Sequence, residues 1–504
     1  MPLSAVFAPM FDTHRWPAML FSLLAGASMT LAYEPFGASL LVYPLLAYML
    51  FHWLNADAKH AFIHVGLFAF GARLTGNSWI FWSLYFHGAS PAALAILIIV
   101  LLSILLASFP ATAAWFVNRY CRAKDSIRLL VVFPAAWLLA EWFRGYLWTG
   151  YAWMQPGYTQ IDLPLSGYAP LVGNHAVGAL ALVTSAALLA ALLKKLSWRT
   201  AITLVVLIWG AGFALKQLSW TQPAGDEIEV ALIQGNIPQE LKWKRHMHRK
   251  TLEMYRDLSL EHKDADAIIW PETAIPDYQH RVPAYIIDMR QKMEQSDTDL
   301  LMGLFIKNLE TGRYYNSVIN PRGGEYRKRH LVPLGEYVPF RPLIGFFNRW
   351  INIPMSDIES GPDDQVLMQL AGQPVGISIC FEDAFSRDVR RDLPEATLLV
   401  NVSNDAWFDG SHETYLHHAI ARMRALETGR YLLRATNTGI SSVIGAHGQE
   451  LAVAPVFERT VLRASVTPLS GQTPYVFWGD AFSVILAIVL IGAACFLPGS
   501  RKTL

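Results

Sequence analysis

Three stretches of this chain put a reactive or ionisable side chain where an apolar run ends. In Ile268-Ile269-Trp270-Pro271-Glu272-Thr273 a carboxylate follows the run directly, and Pro271 holds the residue before it in extended backbone. Residues 326–339 carry Lys328 and Glu336 in a polar loop fixed by Pro333, Gly335 and Pro339. The third stretch, Gly376-Ile377-Ser378-Ile379-Cys380-Phe381-Glu382-Asp383, ends on a thiol. Taken singly, each has a plain alternative: a helix cap, a solvated basic turn and an inert core cysteine. Taken together they meet the needs of acyl chemistry. A thiol attacks a carbonyl only as thiolate, so it needs a base to take its proton and a cation to hold the charge that develops on oxygen. Glu, Lys and Cys are the residue types that fill those roles.

Other chemistries lack their signatures. No GxGxxG follows a strand-like run and no GxxxxGK[ST] occurs, so neither a nucleotide nor any other cofactor is implied. His246 and His248 lie in a charged helical stretch that reads as a solvated face, so no metal site is expected there. The cysteines, Cys121, Cys380 and Cys495, form neither a CxxC pair nor an even disulfide framework. With a net charge of +1, bulk charge offers no basis for nucleic-acid binding.

The three motifs belong to a stretch, 218–475, that reads like a soluble domain. Apolar runs at 228–237, 266–273, 300–305, 375–380 and 396–405 are nearly continuous, as in strands buried on both faces. Helical patterns at 243–260, 283–295 and 413–428 alternate with them, so a layered α/β domain with helices covering sheets is predicted.

Its surroundings are of another kind. Across 504 residues, 53% are hydrophobic and only 16% charged, too apolar for a wholly soluble chain. A helical crossing needs about 20 apolar residues. Eight candidates lie at 17–33, 38–54, 61–85, 91–117, 129–147, 174–193, 200–216 and 479–498. The first runs on to Ala32 and is followed at once by another, so it is expected to stay as an anchor. This gives a helical transmembrane bundle over 1–217, an α/β domain over 218–475, and a final span with a short tail over 476–504. If the spans alternate, Arg15, Lys59, Arg119, Arg122, Lys124, Arg128, Lys194, Lys195, Arg199, Arg501 and Lys502 share one side, whereas the loops at 34–37, 86–90 and 148–173 hold no Lys or Arg. Both termini are then cytoplasmic and the α/β domain faces outward. Trp148, Tyr151, Trp153 and Tyr158 crowd an outward loop at headgroup level. Glu141 and Arg144 are expected to snorkel from a helix end, and Arg73, deeper in its segment, to meet a lipid phosphate or a water-filled cleft.

Trp270-Pro271-Glu272, Lys328 in KRHLVPLGE and Cys380-Phe381-Glu382 resemble the glutamate, lysine and nucleophile motifs of the nitrilase superfamily, whose members use a Glu-Lys-Cys triad on an αββα sandwich. With seven spans before the domain and one after, nearly the whole chain is similar to the bacterial apolipoprotein N-acyltransferases. The most specific pieces are HLVPLGEYVP at 330–339, GNIPQELKW at 235–243, Tyr315-Asn316, and NVSNDAWF at 401–408; Leu334 departs from the pattern, where an aromatic is expected.

The resemblance implies that Cys380, with Glu272 as general base and Lys328 stabilising the oxyanion, attacks the sn-1 ester of a phospholipid, phosphatidylethanolamine being the expected donor. The amine of diacylglyceryl-cysteine on an apolipoprotein then takes the acyl group. It further implies that Glu336 positions the lysine and the amine, that Glu382 supports the nucleophile loop, and that Trp243, Asn316 and Phe381 lie near the pocket. The setting implied is the periplasmic face of a bacterial inner membrane. Withdrawing an acyl chain into water costs about 0.8 kcal/mol per CH₂, so the site must lie at the headgroup plane. The apolar stretch 340–354, with Phe346, Phe347, Trp350 and Ile351, reads either as core packing or as an arm dipping into the bilayer. Two rival readings remain at this point: a membrane-anchored amidase that passes the acyl group to water, and a transporter or scaffold whose outward domain binds lipidated protein.

Overall fold

The computed structural model describes residue 10, residues 12–337 and residues 358–496. The stretch 340–354 and the tail carrying Arg501 and Lys502 lie outside the described residues. Two compact units emerge: one of 1–78, 96–218 and 477–504, the other of 79–95 and 219–476.

In the first unit every apolar segment picked out from the sequence contains a helix. Among the described residues, four helices are long and apolar enough to cross a membrane: Ala92–Tyr120, Asp125–Tyr146, Pro164–Leu192 and Trp198–Lys216. Trp16–Ala32, Ser39–Asn55 and Ala481–Ala494 are shorter apolar helices. The segment expected at 61–85 is helical over Ala58–Gly76 and then breaks. At the break the Asn77 side chain accepts a hydrogen bond from the Tyr151 hydroxyl at 2.7 Å, and a short helix restarts at Ile80–Trp82. Trp16–Ser28 and Ala58–Gly76 touch backbone to backbone, since a Cβ on Gly71 would lie 2.2 Å from the Leu23 carbonyl oxygen.

The charges inside this unit are arranged otherwise than the sequence suggested. Glu141 and Arg144 do not snorkel, and Arg73 meets neither lipid nor a cleft; all three are 2% exposed. Arg73 donates to Glu141 at 2.8 Å and Arg144 donates to the other oxygen of the same carboxylate at 2.5 Å. A second terminal guanidinium nitrogen of each arginine reaches a backbone carbonyl, that of Trp153 at 3.0 Å from Arg144 and that of Met154 at 2.5 Å from Arg73. One carboxylate thus stands between two buried cations and ties two helices to the 153–154 turn.

The second unit is a four-layer αββα sandwich. One sheet runs in the order Thr460–Val466, Ile228–Gln234, Ala267–Ile269, Asp299–Lys307, Tyr314–Ile319, Glu325–Arg327. The other runs Glu450–Val453, Ser442–Ile444, Leu432–Thr436, Leu398–Ser403, Gln373–Ile379, Met368–Leu370. In each, three parallel central strands are flanked by antiparallel ones. Alternation decides which side chain goes where. Val230, Leu232, Ala267 and Ile269 face Val375, Ile377, Val400 and Val402 in a core between the sheets. Ala231, Ile233, Ile268 and Leu300 face outward onto Tyr255, Met289 and Met293 of the helices Arg245–Glu261 and Pro283–Glu294. Leu399 and Leu432 of the second sheet pack on Ala421 and Ala425 of Glu413–Thr428. Because both faces of the central strands are buried, they read as unbroken apolar runs.

Replacing Glu141 with Gln leaves two buried guanidiniums without their counter-charge. Breaking a buried ion pair in this way costs about 3–5 kcal/mol. The Glu141→Gln variant is expected to unfold in detergent at a clearly lower temperature than the parent protein, and an unchanged thermal midpoint would show that the two arginines need no anion.

Candidate active site

Glu272 leaves the end of Ala267–Ile269 on a turn that lies directly on the neighbouring strand. Gly303 makes this approach possible: a Cβ there would sit 2.3 Å from the Pro271 carbonyl oxygen and 2.9 Å from the Glu272 Cα. The turn is pinned at both ends, by Trp270 N–H to the Leu301 carbonyl at 2.9 Å and Ile275 N–H to the Gly303 carbonyl at 3.1 Å. The Glu272 carboxylate accepts from the Asn316 amide at 2.6 Å and from the Asn404 backbone N–H at 2.9 Å. Behind it the buried ammonium of Lys242 donates to the Glu272 backbone carbonyl at 3.2 Å. Burial pushes the Lys242 amine down to about 7, against the pull of the Glu272 charge.

Lys328 follows the edge strand Glu325–Arg327 and is 1% exposed. Burial opposes its charge, but Glu336, then Glu272, outweigh that and hold the ammonium above the ordinary lysine range. It donates to Glu336 Oε1 at 2.9 Å and stands 3.9 Å from Glu272 Oε1. The Asn316 amide bridges both carboxylates, reaching Glu336 at 3.2 Å. The second Glu336 oxygen accepts from Val332 N–H at 2.8 Å, so the loop fixes the residue that fixes the lysine.

Cys380 is the first residue after Gln373–Ile379 and takes φ of +51°, a left-handed conformation that costs a non-glycine residue about 1–2 kcal/mol. Two contacts hold it there. Asn401 donates to the Cys380 carbonyl at 3.3 Å, and Glu382 accepts from Ile379 N–H at 2.7 Å. The same Glu382 carboxylate accepts from Arg329 N–H at 2.7 Å, from His330 N–H at 3.0 Å and from the Tyr326 hydroxyl at 3.0 Å. It therefore locks the lysine loop to the nucleophile loop. Burial raises the Glu382 carboxyl to about 7, against Lys328 and these backbone donors. Burial and the nearby Glu272 charge also raise the Cys380 thiol well above its ordinary value, with Lys328 pulling the other way. The resting thiol is thus protonated at neutral pH, and attack requires a base at the moment of reaction.

A buried ionic cluster supports the nucleophile strand from beneath. Arg434 donates to Asn401 at 2.6 Å, to Asp383 at 3.1 Å and to Asp405 at 3.3 Å, and the His417 ring pairs with Asp383 at 2.7 Å. Despite burial and the Arg434 charge, the two aspartates raise His417 to about 10, so it carries charge.

Glu272, Lys328, Cys380, Asn316 and Glu336 line one cavity of about 120 Å³, which Asn404, Trp407, Phe408 and Leu334 help to close. Ser83, Leu84 and Gly88, from the segment 79–95, line it as well. A carboxylate, an ammonium and a thiol facing one small space can open an ester or amide and hold the acyl group as a thioester.

Residues 25–187 match the family model described as the apolipoprotein N-acyltransferase N-terminal domain, and residues 229–475 match that of the carbon-nitrogen hydrolases. An apolipoprotein N-acyltransferase of Methylococcus capsulatus is 42% identical over 96% of this chain and 97% of its own length. One of Nitrosomonas europaea is 36% identical over 96% of this chain and 99% of its own. The chain belongs to the apolipoprotein N-acyltransferase family. An amidase from Nesterenkonia sp., of solved structure, is 17% identical, with a TM-score of 0.37, over 48% of this chain and 92% of its own.

Within this member of the family the sequence-derived residues separate into two groups. Glu272, Lys328, Cys380, Glu336 and Asn316 come together in the cavity, and Glu382 stands behind it, 1% exposed. Trp243 and Phe381 are not among the lining residues. Trp243 stacks on Phe305 at 6.0 Å in a neighbouring cavity, and Phe381 is buried against Phe385 at 4.9 Å and His330 at 5.3 Å. Lys242, Asn404 and Trp407 escaped the sequence reading as individual residues, although all three lie inside the GNIPQELKW and NVSNDAWF stretches it singled out.

If Glu272 is the base for the raised thiol, its loss slows attack on an acyl carbon even though removing its charge brings the thiol pKa down. A Glu272→Ala variant is expected to lose about 100-fold or more in its rate of Cys380 acylation by an ester substrate at pH 7. Equal acylation rates in the two proteins would mean that Glu272 does not serve the thiol.

Proposed function

We propose that this acyltransferase moves an acyl chain from the sn-1 position of a phospholipid, phosphatidylethanolamine in the first instance, to the N-terminal amine of diacylglyceryl-cysteine on an apolipoprotein. The observation that carries this reading is the convergence of Glu272, Lys328 and Cys380 on one cavity in a chain of this family. Glu272 takes the thiol proton as Cys380 Sγ bonds to the ester carbonyl carbon, and the oxygen charge falls to Lys328. The ester C–O bond breaks, the glycerol oxygen takes the proton back from Glu272, and a lysophospholipid leaves a thioester behind. The acceptor amine then bonds to the thioester carbon, Glu272 removes its proton, and the C–S bond breaks to return the thiol. Glu336, tied to both Lys328 and Asn316, keeps the ammonium aimed at the developing oxyanion through both steps.

The membrane arrangement that suits this chemistry has seven crossings over 1–217, the catalytic domain over 218–475 on the outer face of a bacterial inner membrane, and an eighth crossing returning the carboxyl terminus to the cytoplasm. It is supported by the four long apolar helices and by the one-sided distribution of Lys and Arg in the short loops.

Purified protein incubated with phosphatidylethanolamine is expected to gain the mass of one acyl group on Cys380. Addition of a diacylated lipopeptide is expected to move that mass to the peptide amine. Release of the acyl group only as free fatty acid would assign the chain to the hydrolases instead.

A further inference from the structure

Beside the catalytic cavity lies a larger one of about 480 Å³, with a lining of unusual composition. Phe86, Trp243, Tyr278, Phe305, Tyr314 and Trp407 contribute six aromatic rings, whereas Ile358 is the one aliphatic side chain among the described lining residues. The rings are ordered: Tyr278 stacks on Tyr314 at 4.1 Å, Trp243 on Phe305 at 6.0 Å, and His87 meets Trp407 edge-on at 5.6 Å. A pocket for an acyl chain needs only apolar walls. This one also presents a carboxylate, Glu240, whose side chain is 67% exposed.

Little offsets that charge. His87 stands 3.8 Å from Glu240, but burial depresses its imidazole below the ordinary histidine value, so it is neutral at pH 7. The described lining includes no lysine or arginine. Arg281 sits over the Tyr278 ring at 4.7 Å and is matched by Asp277 at 3.7 Å. Asp409 is near enough to Glu240 to feel its charge. Aromatic faces around a carboxylate with no lysine or arginine among the described lining residues are the chemistry that receives an organic ammonium, through the ring quadrupoles and the opposite charge together.

The two cavities are neighbours. Trp407 lines both. Gln239, in the wall of the larger one, accepts from the Asn404 side chain at 3.0 Å, and the Asn404 backbone N–H is bound to the Glu272 carboxylate at 2.9 Å. Two hydrogen bonds therefore separate the general base from the residue preceding Glu240.

Building on the acyl-transfer reading above, we propose that this aromatic cavity, with Glu240 at its mouth, receives the ammonium of the donor's ethanolamine headgroup and makes the enzyme select zwitterionic over anionic phospholipid. Phosphatidylethanolamine and phosphatidylglycerol share the phosphodiester, so its interactions cancel in the comparison. Only the former offers a cation to Glu240 and the rings, while the latter brings an anion toward a carboxylate whose partner among the described residues is a neutral imidazole.

The test is the initial rate of acyl-Cys380 formation, followed by intact mass, in mixed micelles holding equal surface concentrations of either lipid with identical chains. The parent protein is expected to favour phosphatidylethanolamine, and Glu240→Gln to reduce that preference about three- to tenfold, chiefly by slowing reaction with phosphatidylethanolamine. Glu240 is exposed, so the variant is expected to fold; its thermal midpoint is recorded alongside. A lipid preference unchanged in Glu240→Gln overturns the headgroup assignment while leaving acyl transfer intact. So does a variant that forms the thioester with unchanged preference but passes it more slowly to a lipopeptide amine, since the cavity would then serve the acceptor. Absence of any acyl-Cys380 in the parent protein would remove both proposals together.

Discussion

A buried ammonium between two carboxylates is the constraint around which the catalytic unit is arranged. Lys328 has almost no contact with water, and a cation so placed is tolerated only when counter-charges and acceptors replace its hydration. Glu336 supplies the near partner and Glu272 the farther one. Each carboxylate is itself occupied by donors, Val332 N–H and the Asn316 amide on one side, Asn316 and Asn404 N–H on the other. The arrangement leaves the lysine charged, the thiol protonated and the base beside them. In the proposed mechanism, proton transfer rather than a pre-formed thiolate is then the event that starts the reaction.

The αββα sandwich suits this constraint because it brings ends of two different sheets to one place. Glu272 emerges from a central strand of one sheet and Cys380 from a central strand of the other, while Lys328 follows an edge strand of the first. The hydrophobic layer between the sheets sets how far apart these strand ends lie. Glu382 then joins the lysine and nucleophile loops through backbone donors, and the Arg434 cluster braces Asn401, which holds the Cys380 carbonyl. The strained backbone at Cys380 persists because contacts on both sides over-determine it.

The helix expected at 413–428 is Glu413–Thr428, and a strand overlaps each of the five apolar runs read from the sequence. Those elements were legible because burial on both faces leaves a composition signal that needs no knowledge of the partner. The candidate residues Glu272, Lys328 and Cys380, which line one cavity, were legible because apolar runs end on them and their types fit one reaction. What escaped notice depended on contacts between distant parts of the chain. Arg73 and Glu141 are 68 residues apart, and nothing in either helix alone announces the pair. Lys242 acts on a backbone carbonyl, an acceptor every residue carries. Tyr151 binds the Asn77 side chain just past the helix end at Gly76, and the segment 79–95, read as membrane span and loop, contributes Ser83, Leu84 and Gly88 to the candidate catalytic cavity. Leu334, noted only as a departure from the family pattern, proves to line that cavity at φ of +61°.

The most direct test of the central claim is an experimental structure of the acyl-enzyme trapped before an acceptor is added. The expected result is a thioester on Cys380 whose carbonyl oxygen lies about 3 Å from Lys328 Nζ, with Glu336 still bound to that ammonium. An acyl group on any other side chain, or a thioester oxygen turned away from Lys328 toward solvent, would contradict it.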